Sequence, residues 1–251
     1  MPVKAFAARN FKELIRDPLS YIFCIGLPIV MLVIMTILGR SIPSQAELEI
    51  FSLQNQCAGM IVFAFSFVML FTALLISKDR AGSLLIRLFA SPMRSYEFII
   101  GYAIPLALIA VAQILACFGA SIILSPAIGE SLNIQYIPLC FLVSIPSVIL
   151  FIGLGIIFGF LFSEKSAPGL SSIIISAAPI LGGVWMDLDM IGGQLLAVAK
   201  CFPFYYAVSS CRKIMEGNFN DVPQSIMILS IWAVLIFIAS VFVYRIKTKE
   251  N

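Results

Sequence analysis

Few residues in this chain could do chemistry, and they exclude more than they permit. There are six cysteines, Cys24, Cys57, Cys117, Cys140, Cys201 and Cys211, and no histidine. No Cys-x-x-Cys pair occurs, so a metal site would need scattered thiols and carboxylates, and no metal ligand is assigned. A hydrolase or intramembrane protease needs a nucleophile beside a base, and no imidazole exists to serve; no catalytic residue is assigned. A phosphate-binding loop needs Gly-Lys-Ser/Thr, and no lysine here follows a glycine, so the chain is expected to bind no ATP or other cofactor itself. What remains is charge. Lys78, Arg80, Arg87 and Arg94 gather within residues 77–97 of a chain in which only 12% of residues are charged. Such a cluster on a membrane surface can dock a soluble partner, or it can be a basic loop that only fixes topology.

The elements that must position this cluster are membrane spans. The 251 residues are 61% hydrophobic, with a mean hydropathy of +1.06, against roughly 45–50% apolar residues in soluble domains. Several runs exceed the ~18 apolar residues that mark a bilayer span. The fold class expected is an all-α integral membrane protein, one transmembrane domain over 1–251. Six spans are read at 19–39, 57–77, 98–124, 136–162, 168–186 and 225–244. Residues 3–17 read as an amphipathic interfacial helix, with Val3, Ala7, Phe11 and Leu14 on one side and Arg9, Lys12, Glu13 and Arg16 on the other, toward lipid phosphates and cytosol. A secretory leader is the alternative, but 19–39 is too long for its apolar core and no clear A-x-A site follows.

Within the basic segment, Gly82-Ser83 opens a short helical pattern in which Leu84, Leu85, Leu88 and Phe89 share a face and Arg87 falls off it. Ser91-Pro92 stops it, because a residue before proline is pushed out of the helical region. Residues 187–224 hold two apolar pieces too short to span, read as re-entrant or interfacial helices with Phe204, Tyr205 and Tyr206 at headgroup depth. Free thiols are expected at Cys201 and Cys211, with a disulfide as the alternative. With a cytoplasmic N-terminus, the inner segments hold twelve cations: Lys4, Arg9, Lys12, Arg16, Lys78, Arg80, Arg87, Arg94, Lys165, Arg245, Lys247 and Lys249. The outer ones hold four: Arg40, Lys200, Arg212 and Lys213. The positive-inside rule then puts both termini and the Ser77–Glu97 stretch in the cytosol; the membrane expected is the plasma (inner) membrane.

No span carries an Asp, Glu, Lys, Arg or His in its middle, which argues against a proton-coupled antiporter or a charged ion pore. Gln113 could contact substrate or make an interhelical hydrogen bond. Phe63, Phe67 and Phe71, spaced i, i+4, i+8, could line an apolar pathway or be packing residues. No cluster of cations is dense enough to suggest nucleic acid.

Three stretches in this order resemble the membrane subunit of ATP-binding-cassette exporters of the type-2 permease family: Asn10-Phe-Lys-Glu-Leu-Ile-Arg-Asp-Pro-Leu19 before the first span, Asp79-Arg-Ala-Gly-Ser-Leu-Leu-Ile-Arg-Leu-Phe-Ala-Ser-Pro92 between the second and third, and Phe202-Pro-Phe-Tyr-Tyr-Ala-Val208 with Arg212 before the last. Asp79 alone remains of a usually more acidic stretch, and Ser83 stands where threonine is common. The resemblance implies a homo- or heterodimer of permeases among membrane lipids, bound to two ATPase subunits that carry the ATP and magnesium. It implies ATPase-coupling positions at Gly82, Ser83, Leu84, Leu85, Arg87, Leu88 and Phe89. Spans two and five would flank the central pathway, and an external lid would include Pro203, Tyr206 and Arg212. The function expected is export of a hydrophobic or amphipathic cargo (drug, antibiotic, lipid or peptide). Polysaccharide export by the same family and a non-transporting scaffold or sensor are the alternatives.

Overall fold

A computed structural model describes residues 2–41, 49–82 and 95–249, and every regular element among them is helical. The N-terminal helix α1 covers Pro2–Arg16. Asp17 is extended, and its carboxylate accepts from the Leu19 amide at 3.1 Å, so α2 (Pro18–Ser41) begins with a capped end and a proline in its first turn. Inside α2, Ile22–Gly26 forms a π-helical turn. Then follow α3 (Leu53–Ala81), α4 (Ser95–Ile128), α5 (Ile137–Leu161), α6 (Ala167–Leu181), α7 (Leu188–Ile191), α8 (Gly193–Lys200), α9 (Pro203–Glu216) and α10 (Val222–Lys249).

Five of these, α2 to α5 and α10, are long and apolar enough to cross a membrane. The expected fifth span, 168–186, is helical only to Leu181, and at about 22 Å α6 is shorter than a bilayer core of ~30 Å. Gly183, with φ +72°, ends it. The Gly183 amide bonds Ile180 O at 3.1 Å and the Val184 amide bonds Pro179 O at 2.8 Å, the pattern of a glycine-terminated helix.

The second apolar helix is longer than its hydropathy suggested. α3 takes in Gln54, Asn55 and Gln56 at one end and Lys78, Asp79 and Arg80 at the other. Ser52 caps it, and the Glu130 carboxylate accepts from the Leu53 amide at 2.7 Å, an anion at a helix N-terminus. The side-chain amides of Asn55 and Gln56 donate to the carbonyls of Glu49 and Ile50. The polar ends therefore stay helical because each has a partner.

α3 is the most buried of the five and is surrounded by α2, α4, α5, α6 and α9. Glycines let α5 approach it. A Cβ on Gly155 would lie 2.4 Å from Thr72 Cβ, and one on Gly159 would lie 2.7 Å from Ile76 Cβ. Removing side chains at a helix crossing is how membrane helices gain close van der Waals contact. Gln113 of α4 donates to Ala64 O of α3 at 3.0 Å and to Cys24 O, in the π-helical turn of α2, at 2.9 Å. One amide thus ties three helices, an interhelical role.

Candidate functional site

The site lies at the C-terminal end of α3. Lys78, Asp79 and Arg80 close that helix, and all three are engaged. Arg9 of α1 forks onto Asp79, Nη1 to Oδ2 at 2.6 Å and Nη2 to Oδ1 at 2.7 Å. The Tyr102 hydroxyl of α4 donates to the same carboxylate at 2.8 Å. Glu13, one turn beyond Arg9, meets Arg9 at 2.7 Å and accepts from Lys78 Nζ at 2.7 Å. A continuous chain of ion pairs, Lys78–Glu13–Arg9–Asp79, closed by the Tyr102 hydrogen bond, joins three helices.

Local sequence explains the arrangement. Arg9 and Glu13 share a face of α1 because they are four residues apart. The face that packs is Phe6, Ala7, Asn10 and Leu14, whereas Val3 and Phe11 are only half-buried. The helix is rotated from the purely apolar reading because it packs on protein. Phe6 fills the space above Gly101 and meets Tyr102 edge-on at 4.9 Å, and Asn10 donates to Gly101 O at 3.1 Å. A two-bond guanidinium–carboxylate fork is both strong and directional. Burial lowers the pKa of Arg9, but the hydrogen bonds and charge of Asp79, with Glu13, outweigh it, so the pKa stands above its already high ordinary value. Lys12 and Arg16 stay exposed.

Arg80 turns the other way. Its Nη1 donates to Gly159 O at 3.0 Å, to Phe162 O at 3.2 Å and to Phe160 O, at the end of α5. A cation among the last carbonyls of a helix satisfies groups with no partner in the helix itself. Two residues on, Gly82 is exposed and extended (φ −83°, ψ 164°) and terminates α3. The other expected coupling positions, Ser83, Leu84, Leu85, Arg87, Leu88 and Phe89, lie outside the described residues. Beside the junction is a cavity of about 830 Å³ between α1, α3 and the α5–α6 turn, lined by Arg9, Lys12, Glu13, Arg16, Phe71, Lys78 and Glu164 among others.

Phe63, Phe67 and Phe71 do share one side of α3. Phe63 packs edge-on against Phe67 at 5.2 Å and Trp185 at 5.4 Å, and Phe67 stacks on Phe23 at 5.9 Å. Both are enclosed by these partners, while Phe71 borders the cavity.

At the other end of α3, α9 is set by Pro203 in its first turn and by Gly217 (φ +78°) at its close. Arg212 is buried. It donates to Asn55 O and Val184 O, both at 3.4 Å, and so links α9 to the start of α3 and to the end of α6. Burial pushes Arg212 down to about 10, against the raising fields of Asp187, Glu216 and Asp189. Tyr206 donates to Lys200 O at 3.0 Å, holding α8 against α9. Cys201 is exposed and Cys211 buried, and both are free thiols; Cys211 Sγ lies 3.6 Å from Ser144 Oγ instead.

Sequence reasoning named Arg9, Glu13, Lys78 and Asp79 but not their pairing, and it missed Tyr102 and the role of Arg80. The available signal was a carboxylate, Asp79, and a hydroxyl, Tyr102, at the edges of two apolar runs, where each needs a partner.

Residues 44–242 match the family model described as ABC-2 family transporter protein. The chain is also similar to YvfS of Bacillus subtilis (strain 168), which carries a provisional description as a transport permease. The two are 22% identical over 95 residues, 38% of this chain and 38% of the relative, so the match spans well under half of that protein's length.

Proposed function

The chain belongs to the ABC-2 transporter family, a multi-pass membrane protein of the transport-permease type, and on that premise we propose that it is the permease subunit of an ATP-driven exporter. The hydrolysis of ATP, with magnesium, takes place on separate ATPase subunits. Two permeases, identical or different, form the pathway. The cargo is a hydrophobic or amphipathic molecule taken from the cytoplasm or the inner leaflet of the plasma membrane. Gly82, Ser83, Leu84, Leu85, Arg87, Leu88 and Phe89 engage the ATPase, and the α7–α9 segment is the outer lid.

One observation carries this reading. α3 is a single helix of about 44 Å. One end meets Arg212 of the lid segment, and the other ends in the charged junction immediately before Gly82. A buried, capped helix transmits displacement along its axis, so an ATPase that pushes on the segment after Gly82 moves α1, α5 and α9 together. A sixth crossing, which leaves both termini on one side of the membrane, is supported by the path of the chain around α6. Glu164 borders the cavity shared with Lys78, and Val184 packs on Gly59. The chain between them therefore travels about 28 Å along α3, close to a bilayer core.

A pull-down of the full chain from its native membrane in mild detergent tests the proposal. A stoichiometric ATPase with a phosphate-binding loop, whose turnover rises with an amphipathic substrate, is the expected result. Recovery of the chain alone from well-preserved membranes would count against it.

A further inference from the structure

The cavity beside the α1–α3 junction has two unlike walls. One is apolar, from Leu14, Phe71, Leu74 and Leu75, and the other is ionic. Some of the ionic groups compensate one another. Arg9 pairs with Asp79 and Glu13, and Lys78 pairs with Glu13. Four charges remain with no ion pair among the described residues: Lys12 and Arg16, one turn apart on α1, Asp17, whose carboxylate is held by the Leu19 amide and the Ser20 hydroxyl, and Glu164 on the turn between α5 and α6.

We propose that this cavity is a binding site for a membrane amphiphile whose head carries both a phosphate and a primary ammonium, as phosphatidylethanolamine does. Lys12 and Arg16 take the phosphate, Glu164 takes the ammonium, and the chain lies along Phe71, Leu74 and Leu75. The charge pattern selects this head. A glycerol head brings the phosphate but leaves Glu164 unmatched, and a choline head brings a cation with no N–H to donate. The apolar wall selects a membrane-anchored ligand over its soluble head group. At about 830 Å³ the cavity falls within the ~300–1,000 Å³ usual for small-molecule sites. The site does not depend on whether the chain exports anything.

Native mass spectrometry of the full chain, released from nanodiscs holding equal parts of phosphatidylethanolamine, phosphatidylglycerol and phosphatidylcholine with identical acyl chains, reads the preference directly. The expected result is retention of phosphatidylethanolamine about two- to five-fold over the other two, the scale of solvent-exposed ion pairs. Glu164→Gln should level it with phosphatidylcholine, and Glu164→Lys should turn the preference to phosphatidylglycerol. Combined Lys12→Gln and Arg16→Gln should lower all three. Equal retention by the wild type, or a preference that survives Glu164→Lys, overturns the proposal. Displacement of the bound lipid by millimolar soluble phosphoethanolamine would also overturn it, by assigning a water-soluble ligand. Glu164 lies on an exposed turn outside the ion-pair chain, so both of its variants should keep the wild-type melting temperature, which the same preparations report.

Discussion

Arg9 and Asp79, 70 residues apart in the chain, meet as a two-bond fork at 2.6 and 2.7 Å, and the two partners are unequally exposed. The Asp79 side chain is 2% accessible, whereas that of Arg9 is 38% accessible. The first prediction follows from that asymmetry. Arg9→Gln strands a carboxylate among apolar helices with Tyr102 as its remaining donor, and should cost about 3 kcal/mol or more. Asp79→Asn frees a guanidinium that can turn to water, and should cost about 1–2 kcal/mol. Unfolding of the two variants in mixed micelles measures the difference. Equal losses, or a larger loss in Asp79→Asn, would show that the fork does not hold α1 in place.

The close approach of α5 to α3 gives a second prediction with an internal control. Gly155→Ala must push Thr72 Cβ or the Met69 carbonyl aside, from 2.4 and 2.6 Å respectively. Overpacking of this kind costs about 1–3 kcal/mol. Gly119→Ala, in α4, meets nothing within 4 Å and should be neutral or slightly stabilising. If thermal melting ranked the two variants alike, the packing account of Gly155 would be wrong.

Coupling to an ATPase is addressed by Leu85→Asp. On the proposed function this change places a charge on the apolar face that meets the partner. It should abolish substrate-stimulated ATP turnover while membrane insertion and yield stay at wild-type levels. Unaltered stimulation in the reconstituted complex would remove Leu84, Leu85, Leu88 and Phe89 from the coupling surface.

The junction between α9 and α10 should respond to acid. Lys213 donates to Asp221 at 2.8 Å, and this hydrogen bond, with the lysine's charge, lowers the aspartate below its ordinary 3.8. A group whose folded pKa is depressed stabilises above its unfolded value and loses that contribution as pH falls through the folded value. Hydrogen exchange at Asn218–Val222 should therefore be unchanged by this pair between pH 7 and 5, and should lose its protection below pH 4. In Asp221→Asn that acid-dependent change should be absent, and its persistence would assign the titration to another group.

Much of this molecule was fixed by local composition. Runs of apolar residues marked the spans, Asp17-Pro18 marked the break between α1 and α2, and the Asp79–Pro92 and Phe202–Val208 stretches lie within the residues that match the family. Such features are legible because the bilayer demands long apolar helices whatever their neighbours are. The polar ends of α3 were not legible. Gln54 to Gln56 and Lys78 to Arg80 read as loop in a hydropathy profile, and they are helix because Glu130, Arg9, Tyr102 and the end of α5 complete their bonds. The packed face of α1 was likewise decided by Gly101 and Asp79, residues far along the chain. Short-range pattern determined where helices form. Only the tertiary structure decided how far α3 extends, which face of α1 turns inward and which charge meets which, because those depend on partners brought together by the fold.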